Sequence, residues 1–124
     1  MLGMVVEWLI DIAYANPGKF KKFEGKYGRE YVSLFANLER VLRILREGRK
    51  IGSFQIGFFR SEGDGVYRIG QTGVPSAQES RLYVCPNEQN HTMYVLTIGT
   101  KDRQSDDIDE AKTLVKKIKS ELGG

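Results

Sequence analysis

The sequence predicts an α+β fold: an N-terminal strand, two helices, an antiparallel sheet and a C-terminal helix. Three observations carry that expectation. Apolar residues from Tyr31 to Leu45 recur at helical spacing, and a second helical stripe runs from Ile108 to Leu122. Between them, short β-rich runs alternate and are separated by Gly, Pro, Asn and Asp. Helical and strand periods are thus segregated along the chain, which argues for helices gathered on one side of a sheet. At 124 residues, with no break in composition, the expectation is one domain over 1–124.

The first segment, Val5 to Ala13, puts Trp8, Ile10 and Ile12 on one side and Leu9 and Asp11 on the other. That is a strand pattern, with a short helix as the alternative. Asn16-Pro17-Gly18 breaks the chain, and Lys19 to Tyr27 reads as a short basic helix stopped at Gly28. From Arg29 to Glu47, Tyr31, Leu34, Phe35, Leu38, Val41, Leu42 and Leu45 form one helix face, and Gly48 sits where a C-cap belongs.

Residues 51 to 59 contain two glycines and alternate loosely, which suits either an irregular edge strand or a packed loop. Glu62-Gly63-Asp64-Gly65 is a turn by composition, followed by a strand over Val66 to Ile69 and a loop from Gly70 to Gln78. Ser80 to Cys85 and Thr92 to Ile98 read as an antiparallel hairpin. Ser105, Asp106 and Asp107 are N-cap candidates for the last helix, whose apolar face is Ile108, Ala111, Val115, Ile118 and Leu122.

Several function classes are excluded or weakened by what the chain carries. The apolar run near the start is interrupted by Glu7 and Asp11 and is too short to cross a bilayer. No basic stretch precedes it and no cleavage pattern follows, so the expected location is the cytoplasm, with no membrane partner. The single cysteine, Cys85, cannot form an internal disulfide; its apolar surroundings predict a buried, inert thiol. The only histidine, His91, falls in a polar hairpin loop with no acid positioned to form a triad. Neither CxxC nor HExxH occurs, so no metal is expected, and no glycine pattern of the phosphate-cradling kind points to a cofactor.

Charge is unevenly spread. Residues 19 to 50 hold ten Lys and Arg against four Asp and Glu, so that stretch carries +6 of a net +3 chain. Such a concentration suits a polyanionic partner, and Lys19, Lys21, Lys22 and Lys26 on the first helix, with Gln104, are its RNA-binding candidates. A solvated helix face is the alternative. Arg68, Arg81, Lys101 and Arg103 lie on or just after predicted strands. Alternation puts Arg81, Tyr83 and Cys85 on one face of their strand and Leu82 and Val84 on the other. Arg68 and Arg81 on a shared open face, with Lys101 at the rim, would make a cationic concavity fit for phosphate. A solvent-facing sheet with scattered ion pairs is the competing reading.

The run Arg81-Leu82-Tyr83-Val84, a polar turn, Met93-Tyr94-Val95-Leu96-Thr97-Ile98-Gly99-Thr100-Lys101 and a polar lead into a helix is similar to the C-terminal half of RelE/ParE/HigB toxins of type II toxin–antitoxin pairs. Gly65-Val66-Tyr67-Arg68-Ile69 looks like the family's preceding strand, and Lys101-Asp102-Arg103-Gln104 followed by Asp107-Ile108-Asp109-Glu110-Ala111 resembles the HigB-like and phage-derived branches. The resemblance implies a RelE/ParE-like fold, a cognate antitoxin, and a ribosome-dependent mRNA endonuclease. In that activity Arg68 and Arg81 grip phosphate, while Lys101 and Arg103 add charge near the leaving group or the ribosomal RNA. The alternative it leaves open is a non-catalytic domain of the same fold, such as a gyrase inhibitor or a nucleic-acid or protein-binding module. Gly70 stands where some RNases of the family carry a second strand cation, Ile108 near where some carry a tyrosine, and Thr100 separates the usual Gly-Lys pair.

Overall fold

The computed structural model describes residues 5–123; Met1–Met4 and Gly124, the ends of the expected 1–124 domain, lie outside the described residues. In chain order the elements are β1 (Leu9–Asp11), α1 (Pro17–Lys26), α2 (Gly28–Arg46), β2 (Phe59–Gly63), β3 (Val66–Gly70), β4 (Ser80–Asn87), β5 (Thr92–Thr100) and α3 (Gln104–Glu121). Short 3₁₀ turns cover Ile51–Ser53 and Lys101–Arg103. The five strands form one sheet in the order β1-β5-β4-β3-β2. Four strands pair antiparallel as the sequence predicts, but β1 lies parallel to β5, so the sheet is mixed.

Local chemistry explains most boundaries. Asn16 accepts the Lys19 backbone N–H and Pro17 opens α1, a pairing that suits the first turn of a helix. α2 buries Leu34, Leu38, Val41, Leu42 and Leu45 in one stripe. The two-residue turn between β2 and β3, Asp64 and Gly65, has φ of 54° and 83°, the left-handed geometry that matches strand twist. Residues 51 to 59 resolve into a 3₁₀ turn, an irregular stretch and the start of β2 at Phe59.

The helices do not gather on one side. Leu82 and Val84 of β4 pack with the buried faces of α1 and α2, whereas Tyr83 and Cys85 pack with Ala111, Val115 and Ile118 of α3. Both faces of β4 and β5 are apolar, so one helical layer cannot cover them, and α3 supplies the second. α3 starts one residue before the predicted caps; Arg103 is its N-cap without a side-chain bond, and Asp107 turns inward instead. Among the described residues no helix is long and apolar enough to cross a membrane.

Candidate functional site

The β2–β3–β4 register gathers three arginines. Arg60 lies opposite Arg68, Arg68 opposite Tyr83, and Gly70 opposite Arg81. Tyr83 packs under α3, so these cross-strand partners project from that same face of the sheet. α3 covers only part of the face. Beyond it, Arg60, Arg68 and Arg81 line an open cleft of about 260 Å³ with Gly70, Gln71, Thr72 and Glu79. A side chain at Gly70 would meet nothing within 4 Å, so the floor between the guanidiniums is vacant.

Arg81 is not the exposed strand arginine that alternation alone suggests, because only 8% of it reaches solvent. Its Nη2 donates to Glu79 Oε1 at 3.2 Å, and its buried Nε has no partner. The other Glu79 oxygen lies 3.5 Å from Lys101 Nζ. The Arg81 hydrogen bond holds the Glu79 carboxyl below its ordinary range, against the opposing cost of burial and with Lys101 adding to the lowering. Arg68 Nη1 is 4.0 Å from Glu62 Oε2, a buried oxygen that also lacks a hydrogen bond. Burial and the nearby Asp107 carboxylate push the Tyr83 hydroxyl up to about 12, and it too is unpartnered. Planar guanidiniums with unused N–H groups, walled by low-dielectric protein, suit bidentate binding of a phosphate or carboxylate.

Of the strand cations expected from sequence, the cleft therefore unites Arg68 and Arg81, and Lys101 stands at its rim through Glu79. Arg103 does not join them. It is exposed, 3.9 Å from Asp106, and faces a separate groove with Lys22 and Lys26. Lys19 borders that same groove, but its ammonium is engaged within the fold: it donates to Thr97 Oγ1 at 2.7 Å, Asp107 Oδ1 at 2.9 Å and Glu110 Oε1 at 2.9 Å. It is a structural tie between α1 and α3, already fully engaged. Lys21 borders an apolar recess beside Phe20 and Phe35, and Gln104 opens α3 without lining the cleft.

Arg60 and Glu79 are the cleft residues the sequence reading missed. Arg60 carried only part of a signal: the Asp64-Gly65 turn pairs Gly63 with Val66, and a bulge between Ser61 and Gly63, which no local pattern announces, shifts the register so that Arg60 meets Arg68. Glu79 carried a weaker one: it precedes β4 as Lys101 follows β5, and the hairpin register that pairs Ser80 with Thr100 sets the two side by side. Cys85 is buried, as its apolar surroundings predict, and its thiol is pushed up by desolvation. The His91 ring lies 5.4 Å from the Trp8 ring. No group of three or more His, Cys, Asp or Glu among the described residues is arranged to hold a metal ion. No protein family, no curated protein and no solved structure matches this chain.

Proposed function

We propose that the protein is a toxin of the RelE/ParE/HigB type that grips the RNA backbone in the arginine cleft and promotes attack of a ribose 2′-hydroxyl on the adjacent phosphate. The observation that carries this reading is the convergence of Arg60, Arg68 and Arg81 on one open patch of sheet, with Arg81 buried and its Nε unused. Arg81 is paired on one side by Glu79 but keeps a buried N–H without a partner, which is costly, and an anionic ligand beside it would lower that cost. Charge developing on a phosphorane in such a site is stabilised by fixed donors that need not reorganise. The partners this function requires are mRNA on a ribosome and a cognate antitoxin that neutralises the protein.

Arg68→Ala and Arg81→Ala test it together. Arg68 is the cleaner variant, because its side chain is more exposed than that of Arg81 and its removal disturbs folding less. Each change should reduce growth arrest on induction by about 10²-fold or more, the usual loss for one fixed charge-stabilising donor. Each should also lower the salt dependence of single-stranded RNA binding by about one phosphate contact, measured by fluorescence anisotropy. Folded variants that arrest growth and bind RNA as the wild type does would sink the proposal. Arginine-dependent binding with no RNA cleavage would instead favour a non-catalytic member of the same fold.

A further inference from the structure

Glu79 is the only carboxylate lining the arginine cleft among the described residues. Its two oxygens sit on two different cations, Oε1 3.2 Å from Arg81 Nη2 and Oε2 3.5 Å from Lys101 Nζ. It thus occupies a place on Arg81, at Nη2, that an incoming anion would also use. No other group in the cleft can accept a proton. Arginine has no acceptor, Gln71 Oε1 takes the Ser80 backbone N–H at 2.7 Å, and Thr72 is held by Asn37 and Ser33 from α2. The lone imidazole, His91, lies past the far end of β4, tilted against the Trp8 ring.

We propose that Glu79 changes partner when RNA binds: the phosphate takes over Arg81 and Lys101, and the released carboxylate becomes the general base for the attacking 2′-hydroxyl. This inference rests on the RNA-cleaving function proposed above. In the step, the 2′-hydroxyl proton passes to a Glu79 oxygen while the 2′-oxygen forms its bond to phosphorus. The bond from phosphorus to the 5′-oxygen breaks, and that oxygen takes a proton from the Lys101 ammonium. The products are a 2′,3′-cyclic phosphate and a 5′-hydroxyl, and solvent returns the proton from Glu79 to Lys101.

Electrostatics favours this order of events. Arg81 from β4, Lys101 from the 3₁₀ turn, and Arg68 and Arg60 from β3 and β2 are the charged groups around the carboxylate. While Arg81 and Lys101 hold it, its proton affinity is lowered. A bound phosphate both withdraws those cations and places a negative charge beside it, and each change raises that affinity. The base becomes competent only once substrate is seated.

Glu79→Gln then has two effects of opposite sign, a signature that a merely structural residue does not give. Removing the internal competitor should tighten binding of a fluorescein-labelled single-stranded RNA decamer severalfold. Removing the base should slow cleavage of end-labelled mRNA, held on a ribosome with a vacant A site, by about 10²–10⁴-fold. The wild-type cleavage rate should fall at acid pH as Glu79 takes up a proton, and the Gln variant should lack that limb. Glu79 is about half exposed, so melting temperatures of the two proteins should agree, with Glu79→Asp as a second variant that keeps the base and recovers part of the rate. A Gln variant that cleaves at the wild-type rate, or that binds the decamer more weakly, overturns the inference. A wild-type protein that binds the decamer and leaves the mRNA intact overturns it too, while sparing RNA binding; one that binds no RNA removes both proposals.

Discussion

The two faces of the sheet are built to different standards. Under α1 and α2, Leu34, Leu38, Val41, Leu42 and Leu45 meet Ile69, Leu82, Val84, Val95 and Ile98, and the buried polar groups on that side are satisfied. Asn37 donates to the Gly70 carbonyl at 2.8 Å, and Glu30 accepts the Gln78 N–H at 2.9 Å. Under and beside α3, Tyr83 hydroxyl, Asp107 Oδ2, Arg81 Nε and Glu62 Oε2 are buried with no partner. Buried polar atoms are nearly always paired in folded proteins, so four orphans on one face mark where stability has been given up. Both faces carry an apolar core, but the unpartnered buried polar groups collect on the α3 side.

If that division is right, the largest loss of stability should come from the first face and leave the cleft alone. Leu42→Ala removes a fully buried side chain from the centre of the α2 stripe and should cost about 3 kcal/mol, read from urea denaturation. The folded fraction should bind RNA with unchanged affinity. A Leu42→Ala protein that is stable but loses RNA binding would break the comparison.

A smaller loss is expected where α3 meets β5. A Cβ on Gly99 would lie 1.9 Å from Asp107 Oδ2, an approach no packed side chain tolerates. Gly99→Ala should therefore cost about 2 kcal/mol through overpacking. Adding Asp107→Ser, which removes the clashing carboxylate, should recover part of that loss. If the double variant is no more stable than Gly99→Ala alone, the contact with Asp107 is not what requires glycine.

These positions also show what a sequence can and cannot reveal. The α2 stripe was legible because a 3.6-residue period is a property of the helix itself, and Arg81 was placed on one face with Tyr83 and Cys85 because strands alternate with period two; that Arg68 shares this face follows only from the β3–β4 register. The second helical layer was missed although its signal was present: Tyr83 and Cys85 are as apolar as Leu82 and Val84, so β4 needed cover on both sides. The ion pairs of Lys19 were not legible, for a deeper reason. β1 pairs only with Thr92–Tyr94, and Lys19 reaches past that short strand to Thr97, Asp107 and Glu110, a contact made across 78 to 91 residues of sequence. No local pattern encodes it. Glu79 is a different case: its pairing with Lys101 continues the β4–β5 hairpin one step past Ser80 and Thr100, but the exact register depends on the irregularity between Tyr83 and Val84.

Asp107 allows the finest test of the α3 face, because two opposing influences act on one carboxyl. Burial, with only 1% of the residue exposed, pushes its pKa up, and the Lys19 ammonium pulls it back down, with burial the stronger. An unfolded chain returns the group to its ordinary value of 3.8, so between that value and the raised folded one the native state binds more protons than the unfolded state. The contribution of this group is therefore most favourable below 3.8 and is lost as pH rises through the folded value. Asp107→Asn keeps the shape and cannot titrate, and Lys19 retains Glu110 as its counter-ion. The variant should lie within about 1 kcal/mol of wild type at neutral pH, because the lost charge pairing and the relieved burial cost offset one another. Its stability relative to wild type should rise steadily from acid to neutral pH in denaturant titrations. If the variant instead falls behind wild type as pH rises, Lys19 outweighs burial, and Asp107 belongs with the satisfied polar groups of the other face.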